Sequence, residues 1–195
     1  YLVGQSGQAA AVAVHTLPIA DQLADGVPVS KASSLAESER LAGVFSVPAR
    51  NGHPLADAYI VTLSEQGLIK KSSVADLPGP SSQRFTLARV NADDRLIALA
   101  LTNGQAELLL ATARGMAIRF VESEVRAMGL VAAGVNAIKL AAGDRVIGLA
   151  KFDPSTELLL LGEDGSGWRM RAAEFTLQGR YGQGVIACRP AAPLA

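Results

Sequence analysis

The sequence predicts an all-β fold of propeller type, built from about four repeats of roughly 50 residues with four strands in each blade. Three observations carry this expectation. Four glycines, Gly7, Gly67, Gly115 and Gly165, stand 60, 48 and 50 residues apart and are followed by matching residues at fixed distances. The residues flanking them read as short apolar runs and period-2 alternations, the pattern of strands. Units of this kind cannot bury their apolar faces alone, so neighbouring copies have to stack.

The elements follow in order along one unit. Ten residues after each anchor glycine comes an apolar residue, Leu17, Leu77, Val125 or Phe175, followed in the first two copies by Pro18 and Pro78. Nineteen residues after Gly7, Gly115 and Gly165 stand Gly26-Val27, Gly134-Val135 and Gly184-Val185, and twenty-four after them Lys31, Lys139 and Arg189. The second copy matches when two residues are removed, which aligns Arg84-Phe85 and Arg89. An acidic-Arg-apolar step then recurs as Glu39-Arg40-Leu41, Asp94-Arg95-Leu96 and Asp144-Arg145-Val146, and the fourth copy ends before reaching it. Copy boundaries fall at about 1–58, 59–106, 107–156 and 157–195, within one domain or part of one, 1–195. The first copy carries a turn-rich insertion from Ser46 to Asp57 that reads as a loop.

In the third copy Glu107 to Thr112 suits a buried strand, Ala113-Arg114-Gly115 turns, and Met116 to Phe120 alternates, which makes a hairpin. Alternation sends Met116, Ile118 and Phe120 to one face and Ala117 and Arg119 to the other. The fourth copy places Trp168 and Met170 inward, Arg169 and Arg171 outward. Two more strands are expected near Val135 to Leu140 and Arg145 to Lys151, with Val121 to Ala133 as an inter-strand loop.

Composition excludes several classes. Eighteen Lys+Arg balance eighteen Asp+Glu, so the chain is neither a basic nucleic-acid arm nor an acidic tail. With 49% hydrophobic and 18% charged residues it has ample material for a core. No run approaches the roughly 18 apolar residues of a membrane span. The chain opens on Tyr1 and reads as a piece of a longer polypeptide. A lone Cys188 permits no internal disulfide and fits a cytoplasmic location. His15 and His53 with one Cys give no metal-binding spacing, and Gly4-Gln5-Ser6-Gly7 is too short for a dinucleotide fingerprint and reads as a hairpin turn. No cofactor, metal or catalytic residue is expected.

The stretch Ala111 to Phe120, continued by Glu124-Val125-Arg126 and by Gly134 to Leu140, resembles one blade of the C-terminal domain of DNA gyrase A and of its topoisomerase IV counterpart. The second copy is similar from Tyr59-Ile60-Val61-Thr62 through Gly67-Leu68-Ile69-Lys70-Lys71, and the first and fourth follow the spacing. The resemblance implies a β-pinwheel, a propeller-like ring that usually has five or six blades and wraps duplex DNA around its rim without sequence specificity. It further implies, as partners, the catalytic core of the same polypeptide and the ATPase subunit of a type IIA topoisomerase. The family's cleaving tyrosine lies in an N-terminal part that nothing here resembles, so Tyr1, Tyr59 and Tyr181 read as core or rim aromatics and Trp168 as blade core. The domain by itself is expected to be non-catalytic.

A wrapping surface needs cations spaced along a curved face. Four residues after each anchor stand Ala11, Lys71, Arg119 and Arg169, read as outward-facing, and Lys70, Arg114, Arg126, Arg171 and Arg180 extend the path. The competing reading is that these are ordinary solvated strand charges. By copy, basic and acidic residues number 3 and 5, 5 and 4, 6 and 5, and 4 and 4, so none is strongly basic and weaker wrapping than in a basic family member is expected. The gyrase branch carries a wrapping motif, Gln-Arg-Arg-Gly-Gly-Lys-Gly. The nearest stretch, Gln178-Gly179-Arg180-Tyr181-Gly182-Gln183-Gly184, keeps the Gln, one Arg and two Gly but sits in the last copy, where a working motif and a Gly-rich loop are both open readings. The alternative function is a propeller-type scaffold for protein partners, favoured by a mixed rim with an exposed apolar patch.

Overall fold

The computed structural model describes residues 1–48 and 57–195, apart from the side chain of Leu23. Most of the insertion read as a loop from Ser46 to Asp57, and His53 with it, lies outside the described residues. The strands in chain order are β1 (Leu2–Gly4), β2 (Gln8–Ala10), β3 (Leu41–Val44), β4 (Tyr59–Ser64), β5 (Leu68–Ser73), β6 (Phe85–Thr86) and β7 (Leu96–Thr102). They continue with β8 (Glu107–Thr112), β9 (Met116–Val121), β10 (Val135–Asn136), β11 (Val146–Lys151), β12 (Glu157–Leu161), β13 (Gly167–Arg171) and β14 (Val185–Ile186). The longest helix among the described residues is the four-residue α1 (Val29–Ala32).

Each copy opens on a hairpin, as the alternation of the third and fourth copies predicts. In the third, Leu108 pairs with Phe120 and Leu110 with Ile118. The anchor glycines are needed twice over. All four turn at φ between 79° and 83°, a conformation that costs a residue bearing a Cβ. At Gly115 a Cβ would also lie 2.3 Å from the Cys188 carbonyl oxygen, because the next copy's chain crosses over the turn. Gly165 has open space around it among the described residues.

That crossing chain corrects the expected strand assignment. The four strands of a blade do not come from one copy. The sheets run β3-β1-β2-β6, β7-β4-β5-β10 and β11-β8-β9-β14, and the outermost strand of each is supplied by the following copy. Val135 of the third copy thus pairs with Ile69 of the second. The fourth sheet holds β12 and β13 alone. The expected strand from Val135 to Leu140 is ladder only over Val135–Asn136, after which the chain bends across the neighbouring turn, Ala137 N donating to Gly67 O at 2.8 Å. In the first copy, which has no predecessor here, the equivalent region forms α1 instead of a strand.

Both faces of each middle sheet are buried. One core cluster joins the second and third blades through Val61, Leu63, Ile69, Leu108, Leu110, Ile118 and Phe120. Another joins the first and second through Val3, Ala9, Ile60, Leu87 and Leu96. A fully buried Phe contributes about 1.5–3 kcal/mol, and here it does so only because a second sheet lies against it. The expectation that Ala117 faces outward is therefore corrected: it is completely buried. Leu77, Val125 and Phe175, ten residues after their anchors, each end a single 3-10 turn and insert toward the preceding blade. Leu17, against which no blade packs among the described residues, is exposed.

The acidic-Arg-apolar step leads into the last strand of each of the first three copies. Asp144 accepts the main-chain N–H of Arg114 (3.1 Å) and Arg145 (2.8 Å) and the Thr112 hydroxyl (2.7 Å), and so ties the step to the hairpin turn. The fourth copy does reach this place, contrary to the expectation from spacing. Leu194 N donates to Ala113 O at 2.8 Å, as Val146 N does to Glu65 O, with Ala192-Pro193 standing where the acidic-Arg pair is expected. The strands β3, β7 and β11 meet one another across blades and mark the inner side, which leaves β6, β10 and β14 on the outer rim.

Candidate nucleic-acid interface

The cations fall into two groups according to where the blades put them. Mid-strand cations are consumed between blades. Lys70 on β5 is 1% exposed, and its ammonium donates to the carbonyl oxygens of Leu87 and Leu130, tying its own strand to rim segments of the second and third copies. Burial pulls its pKa down to about 8. Lys71 Nζ lies 3.8 Å from Glu122 Oε1, donates to Glu122 O at 3.3 Å and sits 5.1 Å from the Tyr59 ring centre. Glu122 is wholly buried and also accepts from the Thr102 hydroxyl (2.6 Å) and Ala106 N (3.2 Å).

One blade on, the equivalent Arg119 binds the Glu107 carboxylate at 2.5 Å and donates to Phe175 O at 2.8 Å. Its guanidinium carbon lies 3.4 Å from the Phe152 ring centre. The expectation of outward-facing Lys71 and Arg119, with Lys70 beside them, is corrected on this point. Period-2 alternation assumes a sheet with one wet face, whereas the next blade covers that face here. Arg169 occupies the same repeat position on β13, where no sheet follows. Its side chain is 73% exposed and paired with Glu157 at 3.0 Å.

The remaining expected residues lie in different places. Arg171 is exposed on β13, Arg114 in the β8–β9 turn, and Arg126 in the loop after the 3-10 turn Glu122–Glu124. Arg180 is half-buried and serves as a clamp. Its main-chain N–H donates to Glu124 Oε2 (2.6 Å), Nε to Glu124 O (3.2 Å), and Nη1 to Asn136 O.

A more regular row lies outside the cations that strand alternation singles out. Arg89, Lys139 and Arg189 follow the outermost strands, beside the turns of Gly7, Gly67 and Gly115. Arg89 N donates to Ala132 O (3.1 Å) and Lys139 N to Gly182 O (2.9 Å), equivalent contacts one blade apart. All three are exposed, and none forms an ion pair among the described residues. Their signal in the sequence is the basic position twenty-four residues after the anchor, or twenty-two in the shortened second copy.

Acidic partners gather elsewhere. Arg95 binds Glu65 at 2.7 Å, Glu65 lies 3.9 Å from Arg145, and Arg145 reaches Glu163 at 3.2 Å, a ladder running from blade to blade. A chain of zero formal charge thus keeps cations without an ion pair among the described residues in a row at the outer corner of successive blades. Spaced, solvent-facing cations of this kind are chemically suited to phosphate oxygens, whatever the base sequence.

Comparison with known proteins agrees with the fold and the repeat. A family model described as DNA gyrase C-terminal domain, beta-propeller, matches residues 58–103, 106–153 and 156–189. The DNA gyrase A protein of Haemophilus influenzae is 34% identical over 128 residues, and that of Salmonella typhimurium 35% over 128. The match covers 66% of this chain but 14% of either relative, so the chain spans about one-seventh of their length. The crystal structure of the C-terminal domain of DNA topoisomerase IV superposes with a TM-score of 0.86 at 23% identity, covering 99% of this chain and 60% of that one. A DNA gyrase A C-terminal domain superposes at 0.77 with 18% identity, covering 99% and 62%. These likenesses extend the shared fold to the first copy, which the family model leaves unmatched. The three consecutive matched copies, and the blades they build, make this chain a member of the DNA gyrase C-terminal domain family of beta-propellers.

Proposed function

We propose that the domain binds duplex DNA along its outer rim without sequence specificity, bends it, and guides it to the catalytic core of a type IIA topoisomerase in the cytoplasm. The core belongs to the same polypeptide and works with a partner ATPase subunit. In this reading the domain breaks no bond itself. The observation that supports it is the row of exposed cations Arg89, Lys139 and Arg189, without an ion pair among the described residues, one at the same corner of successive blades. Arg114, Arg126, Arg169 and Arg171 are further phosphate contacts around this row. Lys70, Lys71, Arg119 and Arg180 act indirectly, by fixing the blades and the rim loops that present it. Phosphate neutralisation with counterion release supplies affinity, and the elastic cost of bending opposes it.

The test is topological. Nicked circular DNA is ligated in the presence of the domain, and the linking number of the closed circles is compared with a protein-free control. A shifted distribution supports wrapping, and an unchanged one at saturating protein overturns it. The protein-scaffold reading rests on Leu159 and Leu161, 62% and 52% exposed on the fourth sheet. It takes first place if duplex DNA does not bind at low salt.

A further inference from the structure

Tyr181 is the only non-glycine residue with positive φ, 66°, among the described residues. A bulky side chain in the left-handed region costs free energy, and such outliers persist where the surroundings over-determine them. The surroundings here do so. Residues 177–183 are tied to the third copy on both sides of the tyrosine: Gln178 N donates to Arg119 O (2.8 Å), Tyr181 N to Ala137 O (2.8 Å), and Lys139 N to Gly182 O (2.9 Å). Arg180 adds its clamp on Glu124 and Asn136.

The constraint serves no packing purpose that the fold reveals. Tyr181 is 49% exposed and belongs to no core cluster or aromatic pair among the described residues. A glycine at this place would form the same main-chain bonds without the strain. The equivalent residue one copy earlier is Val131, also exposed, beside the main-chain partner of Arg89. An exposed apolar side chain therefore accompanies the cation row at two successive blades. At the second it is an aromatic ring with a hydroxyl, next in the chain to Gly182, which holds the Lys139 main chain.

We propose that Tyr181 is a DNA-contacting residue, its ring packing against deoxyribose and base edges where the minor groove of the bent duplex faces the rim beside Lys139. This rests on the DNA-rim reading above. A duplex bent around a protein turns its minor groove inward about once every ten base pairs, and apolar side chains at such points favour the bend. The hydroxyl suits the N3 and O2 acceptors that base pairs of either kind present there.

The experiment uses this chain with a duplex of about 40 base pairs carrying a dye at each end, and follows binding and energy transfer against salt. Tyr181→Gly is expected to bind roughly tenfold more weakly, as loss of an aromatic contact does, with reduced energy transfer and an unchanged log–log salt slope. Its melting temperature should equal or exceed that of the parent, because glycine relieves the strain. Tyr181→Phe should keep most of the affinity, and Lys139→Ala should lower the slope by about one. Tyr181→Gly that binds and bends like the parent while Lys139→Ala weakens binding overturns the inference and leaves the rim reading standing. A lowered melting temperature for Tyr181→Gly makes the ring structural and overturns it as well. Failure of the parent to bind at low salt removes the rim reading itself.

Discussion

Lys70 is enclosed by the third strand of the second blade and by two rim segments, with the carbonyl oxygens of Leu87 and Leu130 as its partners and 1% of its surface exposed. Carbonyls satisfy the ammonium's protons but not its charge, and burial lowers its pKa from the ordinary 10.5 to about 8. The gap corresponds to about 3 kcal/mol favouring the neutral amine in the folded state. The unfolded chain then holds the Lys70 proton more tightly, so the residue opposes folding below its folded pKa. This opposition fades as pH rises from about 8 toward 10.5. Between about pH 7 and pH 9.5 the fold gains about 2 kcal/mol from this side chain, and the neutral amine still donates to both carbonyls.

Lys70→Met keeps the length and removes the titration. Its absolute effect mixes a removed charge with two carbonyls left unpaired, each costing about 1–3 kcal/mol, so only the pH dependence is diagnostic. Urea denaturation of both proteins at the two pH values gives the difference directly. The parent should gain about 2 kcal/mol more than the variant on raising the pH, and Cys188, present in both, cancels. Parallel pH profiles would refute the argument, because they would mean that Lys70 is as well solvated as a surface lysine.

Other consequences follow from the blade interfaces. Glu122→Ala should destabilise by about 3–5 kcal/mol in urea denaturation, since it strands Lys71 in the interior and unpairs Thr102 and Ala106. Adding Lys71→Met should recover part of that loss, so a double variant less stable than the single one would contradict the ion pair. Gly115→Ala should cost about 2 kcal/mol or more by calorimetry, because it combines positive φ with a Cβ in the path of Cys188 O. Gly165→Ala shares the φ but meets open space, and should cost less.

The repeat is legible in the sequence because the same physical demand recurs at each turn. A left-handed glycine, an apolar residue ten positions on and an acidic-Arg-apolar step are all visible without coordinates. Which sheet takes the last strand of a copy is not legible: a period fixes the unit, and handing Phe85–Thr86 back to the first blade leaves that period unchanged. The cations that alternation misplaces share a single cause. Arg119 alternates with Ile118 and Phe120 as a residue on a solvated face would, and Lys71 holds the same repeat position, but they meet Phe175 and Glu122 from the next copy, contacts that no local pattern encodes. Arg169 and Arg171 are exposed on β13, which no sheet covers among the described residues. Arg89, Lys139 and Arg189 are visible as a repeat position. What makes them the proposed contact row is that the carboxylate-paired cations among the described residues lie in other places, which only the structure reveals.

The most direct test of the rim account is the salt dependence of duplex binding by the parent, by the triple variant Arg89→Ala/Lys139→Ala/Arg189→Ala, and by Arg145→Ala, which removes an ion-paired arginine on the inner ladder. Each lost phosphate contact flattens the log–log slope by about 0.9, so the triple variant should lose roughly 2.7 from the parent's slope while Arg145→Ala keeps it. A triple variant with the parent's slope and affinity would contradict the account and place the DNA, if it binds, on another face.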